Sequence, residues 1–205
     1  MAGWLMAVAL CAGTAWPDQP ALAKFGTTVV LPSGLRGRVY HTHRWAKRLP
    51  DFSKVRPVGT IYTASLNVPP QNFELGFPGV TRRFEWFAID YTGRFWISNP
   101  GEYTFELTSD DGSRLYIDDR PIIDNDGLHP PAEKTGKLEL SSGVHAIRVS
   151  YFQGPKFHVA LILKVAGPGQ PPRIFSTDEF KPPEHPESWT APPAPEPDAP
   201  RRKRG

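Results

Sequence analysis

Apolar and polar residues alternate with a period of two through most of the chain between residues 25 and 166. The segment Glu102–Thr108 shows this most cleanly, because Tyr103, Phe105 and Leu107 fall on one face and polar residues on the other. Further strands with such a pattern are predicted at 60–63, 83–89, 144–151 and 156–165. The sequence shows no helical stripe longer than a turn or two. These features predict an all-β protein, an antiparallel β-sandwich or barrel.

The aromatic segment 84–91 is apolar on both faces of its predicted strand. One face carries Phe84, Trp86 and Ala88, and the other carries Phe87 and Ile89. We therefore expect a strand that is buried on both sides, with most of these rings in the core. Tyr91 stands between Asp90 and Thr92, where a turn is expected. It is the residue of this segment that we expect to be available to a ligand.

The N-terminal residues have the features of a secretory signal. An apolar run from Trp4 to Trp16 is too short to span a bilayer, and Ala21-Leu22-Ala23 forms an A-x-A cleavage site. We expect residues 1–23 to be removed, leaving no transmembrane segment in a protein that is secreted, periplasmic or at the cell surface. A disordered apolar N-terminus is the alternative. The single cysteine, Cys11, falls in this segment, so the exported chain has no disulfide.

The C-terminal residues 182–205 differ from the rest in composition. They are rich in proline and acidic residues and end in the basic run 201–204. Such a composition leaves too little apolar surface to offset the entropy of ordering. We therefore expect one folded domain over residues 24–181, followed by a disordered tail. The net charge of +3 is too small to indicate a nucleic-acid partner.

The stretch SDDG places two carboxylates, Asp110 and Asp111, side by side between two predicted strands. It has two interpretations. Asp-Gly is a favourable hairpin turn, because glycine tolerates the positive φ of a tight turn, and the carboxylates would then cap local amides. Alternatively, the two acids share a cation. In an extended chain adjacent side chains point to opposite faces, so this second interpretation requires a sharp bend of the backbone.

Four segments resemble the protective-antigen fourteen-kilodalton domain family, known from anthrax protective antigen, yeast flocculins and bacterial fibro-slime proteins. They are GRFWI at 93–97, GEYTFELTSDDGSRLYIDDRPIIDNDGLH at 101–129, GKLELSSGVH at 136–145 and IRVSYF at 147–152. The match covers roughly residues 80–165 well and 34–79 loosely. It implies a β-barrel or sandwich with a binding site at one end, commonly for carbohydrate, and no catalytic residues.

The resemblance also implies a role for the aspartate pair. In the adhesin branch of the family, the residues matching Asp110 and Asp111 are joined by a cis peptide bond and hold calcium, which in turn binds sugar hydroxyls. Calcium takes six to eight oxygen ligands, so we expect further donors from Asn125 and Asp126 and from backbone carbonyls of 153–155. The expected ligand-binding residues are Asp110, Asp111, Tyr91 and Gln153.

Other candidate sites are weaker. His41 and His43 lie on one side of a predicted strand, but a third metal ligand is not evident. Glu85 and Asp90 are the nearest thing to a glycosidase acid pair, and acids on an alternating strand more often face solvent.

The sequence therefore predicts a non-catalytic binding module for a glycan or polysaccharide, assisted by calcium. The alternative is a structural or assembly module that binds an envelope protein. The first needs an open, acidic concavity around Asp110, and the second predicts a closed end with an apolar patch elsewhere.

Export can be tested directly. If residues 1–23 are a signal peptide, the intact mass of the secreted protein should correspond to a chain that begins at Lys24. Recovery of a cytoplasmic chain that retains Trp4 would contradict this prediction.

Overall fold

The computed structural model describes residues 34–80 and 83–182, and the predicted signal peptide and nearly all of the predicted tail lie outside these ranges. Strands make up most of the described chain, as the alternation predicts. They are β1 Leu35–His41, β2 Gly59–Thr63, β3 Asn67–Asn72, β4 Phe87–Ile97, β5 Gly101–Asp110, β6 Ser113–Ile117, β7 Arg120–Asn125, β8 Ala132–Leu140, β9 Gly143–Gln153, β10 His158–Ala166 and β11 Arg173–Ile174. The helical structure found in the described ranges is one 3₁₀ turn, Phe73–Leu75, and none of it is long enough to cross a membrane.

The strands form two antiparallel sheets that face each other. One sheet has the order β2-β1-β4-β9-β6-β7, and the other has the order β11-β10-β5-β8 with β3 also paired to β10. The prediction of an all-β antiparallel sandwich is therefore confirmed. Strands that are neighbours in sequence often lie in different sheets, as β4 and β5 do.

The main core lies between the two sheets and is built by the alternating inward residues. Tyr103, Phe105 and Leu107 of β5 are all buried there, as predicted. Phe105 meets Phe95 of the opposite sheet edge to face, with ring centroids 6.4 Å apart. Phe175, at the end of β11, contacts both of these rings and completes the cluster.

A second, smaller core covers the outer face of the six-stranded sheet. Ala88 and the preceding Trp86 are buried there, whereas Phe87 and Ile89 enter the main core. The covering residues come from the segment between β1 and β2, and they are Ala46, Leu49, Phe52 and Val55. The prediction that this segment is buried on both faces is thus confirmed, although Phe84 remains exposed.

The prediction of a turn at Tyr91 is wrong. β4 continues through this residue to Ile97, and Tyr91 lies in the main core at 2% exposure. The reason is its partner on β1, since Gly37 has no side chain and a Cβ there would stand 2.6 Å from the Tyr91 ring. A ligand-binding residue should lie at the surface, and Tyr91 does not.

The close approach of β8 to β7 gives a stability prediction. A Cβ on Gly136 would stand 2.6 Å from the backbone oxygen of Ile122. We expect Gly136→Ala to lower the free energy of unfolding by roughly 1–3 kcal/mol, because backbone must move. Gly59→Ala is the matched control, since its Cβ would meet nothing within 4 Å. Equal denaturant midpoints for the two variants would contradict this account of the β7–β8 packing.

Candidate functional site

The aspartate pair lies where the chain crosses from one sheet to the other. β5 ends at Asp110 in the second sheet and β6 begins at Ser113 in the first. SDDG is therefore not a hairpin turn. The peptide bond between Asp110 and Asp111 is cis, as the family resemblance implies.

The residue directly after the pair is a glycine because a side chain at position 112 would clash with the loop after β7. Gly112 is not among the residues with positive φ. A Cβ on Gly112 would stand 2.8 Å from both the Asp126 Oδ1 atom and the Gly127 backbone nitrogen. The tight hairpin turn of this region is instead Asp118-Asp119, between β6 and β7, where both residues have positive φ.

The Asp111 carboxylate forms hydrogen bonds with two loops that lie beside the pair. Its Oδ2 accepts hydrogen bonds from the Gly154 backbone N–H at 2.8 Å and from Gln153 Nε2 at 3.4 Å. Its Oδ1 accepts one from the backbone N–H of His129 at 3.2 Å. One side chain thus fixes the loop after β7 and the loop after β9.

Gln153 is held beside the pair by its own contacts. The Tyr151 hydroxyl lies 2.6 Å from the Asp110 carbonyl oxygen and 2.5 Å from Gln153 Oε1. Gln153 Nε2 donates to the His158 carbonyl at 3.0 Å. The structure therefore brings Gln153, an expected ligand-binding residue, to the two aspartates.

Burial dominates the electrostatics of the pair. Asp110 and Asp111 are 6% and 5% exposed, so both carboxylates are recessed below the surface. Burial, reinforced by the neighbouring Asp111 charge, raises the pKa of Asp110 to about 7. Burial also raises the pKa of Asp111, against the opposing hydrogen bonds from Gly154 and His129. The surroundings of the pair therefore stabilise its ionised form incompletely.

Asn125 and Asp126 are already engaged in other contacts. The Asn125 amide donates to Ser109 Oγ at 3.1 Å and to the Ala132 carbonyl at 3.0 Å. Asp126 Oδ1 accepts the Leu49 backbone N–H at 2.8 Å, and Oδ2 lies 3.3 Å from an Arg114 nitrogen. The bond to Leu49 fixes the segment between β1 and β2 to the loop after β7. That Asn125 or Asp126 completes a calcium shell stays a prediction, and these contacts do not favour it.

The donor set at the pair fits a hard divalent cation. Two carboxylates are oxygen ligands of the kind that calcium prefers, whereas Gln153 directs its amide nitrogen to Asp111 and its amide oxygen to the Tyr151 hydroxyl. Within 34–80 and 83–182, no three histidine, cysteine or acidic side chains gather to form a metal centre. Any calcium held here would therefore complete its shell with neutral oxygens from the backbone, water or a ligand.

The other sequence candidates are not assembled into sites. His43 Nδ1 lies 2.8 Å from the Arg44 carbonyl on the exposed surface. Glu85 accepts the Lys156 backbone N–H at 3.2 Å. Asp90 instead accepts hydrogen bonds from Arg148 and Ser150 on β9, so the two acids have separate partners.

Sequence reasoning missed Tyr151 and His129 as neighbours of the pair. Both are distant in sequence, since Tyr151 lies 41 residues from Asp110 and His129 lies 18 from Asp111. A signal for Tyr151 was present. Val149, Tyr151 and Gln153 occupy alternate, buried positions of β9. A glutamine at the end of an inward series indicates a buried polar partner there.

A scan against family models matches the "PA14 domain" model to residues 32–178. A search of curated proteins found no match to the sequence.

Solved structures share the fold. An "anti-sigma factor domain-containing protein" aligns with TM-score 0.60 and 21% identity over 80% of this chain, which spans 50% of that one. The "PA14 sugar-binding domain from RTX adhesin" aligns with TM-score 0.58 and 18% identity over 71% of this chain and 96% of that one. The PA14 domain of the MpAFP antifreeze protein aligns with TM-score 0.59 and 20% identity, over 80% and 94% of the respective chains.

The raised pKa of Asp110 predicts a pH dependence of the metal-free protein. An acid whose pKa rises on folding holds more protons when folded, between its usual 3.8 and about 7. Stability should therefore fall as pH rises through that window. In the presence of a chelator, the melting temperature of the wild type should fall relative to that of Asp110→Asn over this range. Parallel curves for the two proteins would contradict the prediction.

Proposed function

Because the chain belongs to the PA14 domain family, we propose that it is a non-catalytic module that binds glycans with calcium at Asp110 and Asp111. The observation that carries the proposal is the recessed pair of adjacent carboxylates, whose ionised form the surroundings stabilise incompletely. Secretion through the predicted signal peptide belongs to the same proposal.

The chain's own residues have distinct roles in this proposal. Asp110 and Asp111 supply charged ligands, and Gln153 supports the Asp111 carboxylate through its amide nitrogen. Tyr151 and the Gly154 N–H are positioning groups, because they fix Gln153 and the Asp111 carboxylate without a role as ligands. Calcium bound here would offer its outward coordination positions to a pair of sugar hydroxyls.

The comparisons support the ligand class. One similar structure is described as a sugar-binding domain from an adhesin, and its identity of 18% supports a shared fold more than shared residues. The support from this chain itself is the oxygen-donor set at one end of the sandwich. The rival assembly module would not require that set, so calcium and glycan binding distinguish the two.

Calcium should raise thermal stability, because a ligand that binds only the folded state stabilises it by mass action. With two charged ligands, the dissociation constant should be about 10⁻⁴–10⁻³ M, as in extracellular modules. Asp111→Asn keeps the shape but removes a charged ligand, so the calcium-dependent gain should disappear. Differential scanning calorimetry in calcium and in chelator measures both effects.

The matched control is Asp119→Asn. It removes an exposed carboxylate from the β6–β7 turn, and asparagine tolerates the positive φ of that position. This variant should keep the full calcium gain. A wild type that melts at the same temperature in calcium and in chelator would rule out the metal proposal.

Glycan binding needs its own measurement. On a glycan array the wild type should bind a set of glycans in calcium and lose them in chelator, and Asp111→Asn should bind none of them in either buffer. If the wild type binds no glycan on the array but still gains thermal stability from calcium, the function that remains is a calcium-binding assembly module.

A further inference from the structure

We propose that the groove beside the aspartate pair is a subsite for the carboxylate of an acidic sugar, so that the module prefers uronic-acid glycans. The inference rests on the proposed function, because it extends the same glycan site. The groove is the surface formed by the apolar side chains of Phe73, Phe84 and Trp86 together with the cations Arg44, Arg83 and Lys156. Its volume of about 440 Å³ is in the range of small-ligand sites.

The groove adjoins the aspartate pair through a single residue. The Gly154 N–H donates to Asp111 at 2.8 Å, and the Gly154 carbonyl accepts the Trp86 N–H at 3.1 Å. Two hydrogen bonds therefore separate the pair from the groove wall.

The exposed aromatic surface of the groove is that of Phe84, because the neighbouring Trp86 is only 8% exposed and packs in the second core. Trp86 has a φ of 59°, which is an outlier for a bulky residue. Its carbonyl is held in place by the Thr42 N–H at 2.9 Å and by Arg83 at 3.0 Å. The Phe84 ring is 45% exposed, and the Trp45 ring, which lies 6.2 Å from that of Trp86, is 76% exposed. Backbone strain of this kind clusters at binding sites, and flat apolar rings suit the C–H face of a sugar.

The charges of the groove favour an anion. Three cations face one carboxylate, Glu85, which accepts the Lys156 backbone N–H. Over the part of the chain that the structure describes, neither Arg44 nor Lys156 forms a salt bridge. Arg44 instead lies over the Trp45 ring, with its Cζ atom 5.8 Å from the ring centroid. The excess of positive charge beside the exposed Phe84 ring matches a pyranose ring that carries a carboxylate.

The test compares two probes that share one skeleton, a tetragalacturonate and its full methyl ester. Titration calorimetry at a fixed free calcium concentration measures both, since the acidic probe itself chelates calcium. The wild type should bind the acid about five-fold or more tightly than the ester, by charge-assisted hydrogen bonds. The double variant Arg44→Gln/Lys156→Gln should bind the acid no better than the ester, with ester binding unchanged.

Lys137→Gln is the control, because it removes an exposed cation from the far sheet and should keep the preference for the acid. Equal binding of acid and ester by the wild type, or an unchanged preference in the double variant, overturns the subsite. Loss of both probes in Asp111→Asn would then still support calcium-dependent glycan binding. Failure of the wild type to bind either probe overturns the subsite, and the glycan array decides the wider proposal separately.

Discussion

The arrangement of the candidate site depends on one buried carboxylate. Asp111 accepts backbone N–H groups from two loops that lie 18 and 43 residues away in sequence. Hydrogen bonds from neutral donors only partly offset the loss of water around a charge. The same interaction therefore organises the loops and leaves the site short of positive charge. The arrangement of the two loops and the proposed cation site therefore depend on the same carboxylate.

Much of the fold could be predicted from alternation, and the reasons are local. Tyr103, Phe105 and Leu107 lie on one face because side chains alternate along any strand. The aspartate pair could be found for another reason, since its motif resembles a known family and is contiguous in sequence. Local alternation did not predict the position of Tyr91. Whether β4 turned or continued depended on space above Gly37, a residue of another strand.

The partners of the pair could not be predicted, because they depend on which strands become neighbours. Tyr151 reaches Asp110 only because β5 and β9 end at the same edge of the sandwich, in different sheets. Asp126 looked like a ligand by composition, yet its carboxylate fastens the covering segment at Leu49. Composition specifies which groups can bind a cation, and tertiary contacts determine which of them remain available.

The crossing of the chain between sheets at the aspartate pair has a mechanical consequence. Asp110 ends a strand of one sheet, and three residues later, at Ser113, β6 begins in the other. A tensile load applied at the pair passes covalently into both sheets, and the ladders of β5 and β6 share it in shear. A site on a long surface loop would instead transmit the load to a few loop contacts, which peel one after another. A load applied at this position is therefore distributed over the hydrogen bonds of both sheets.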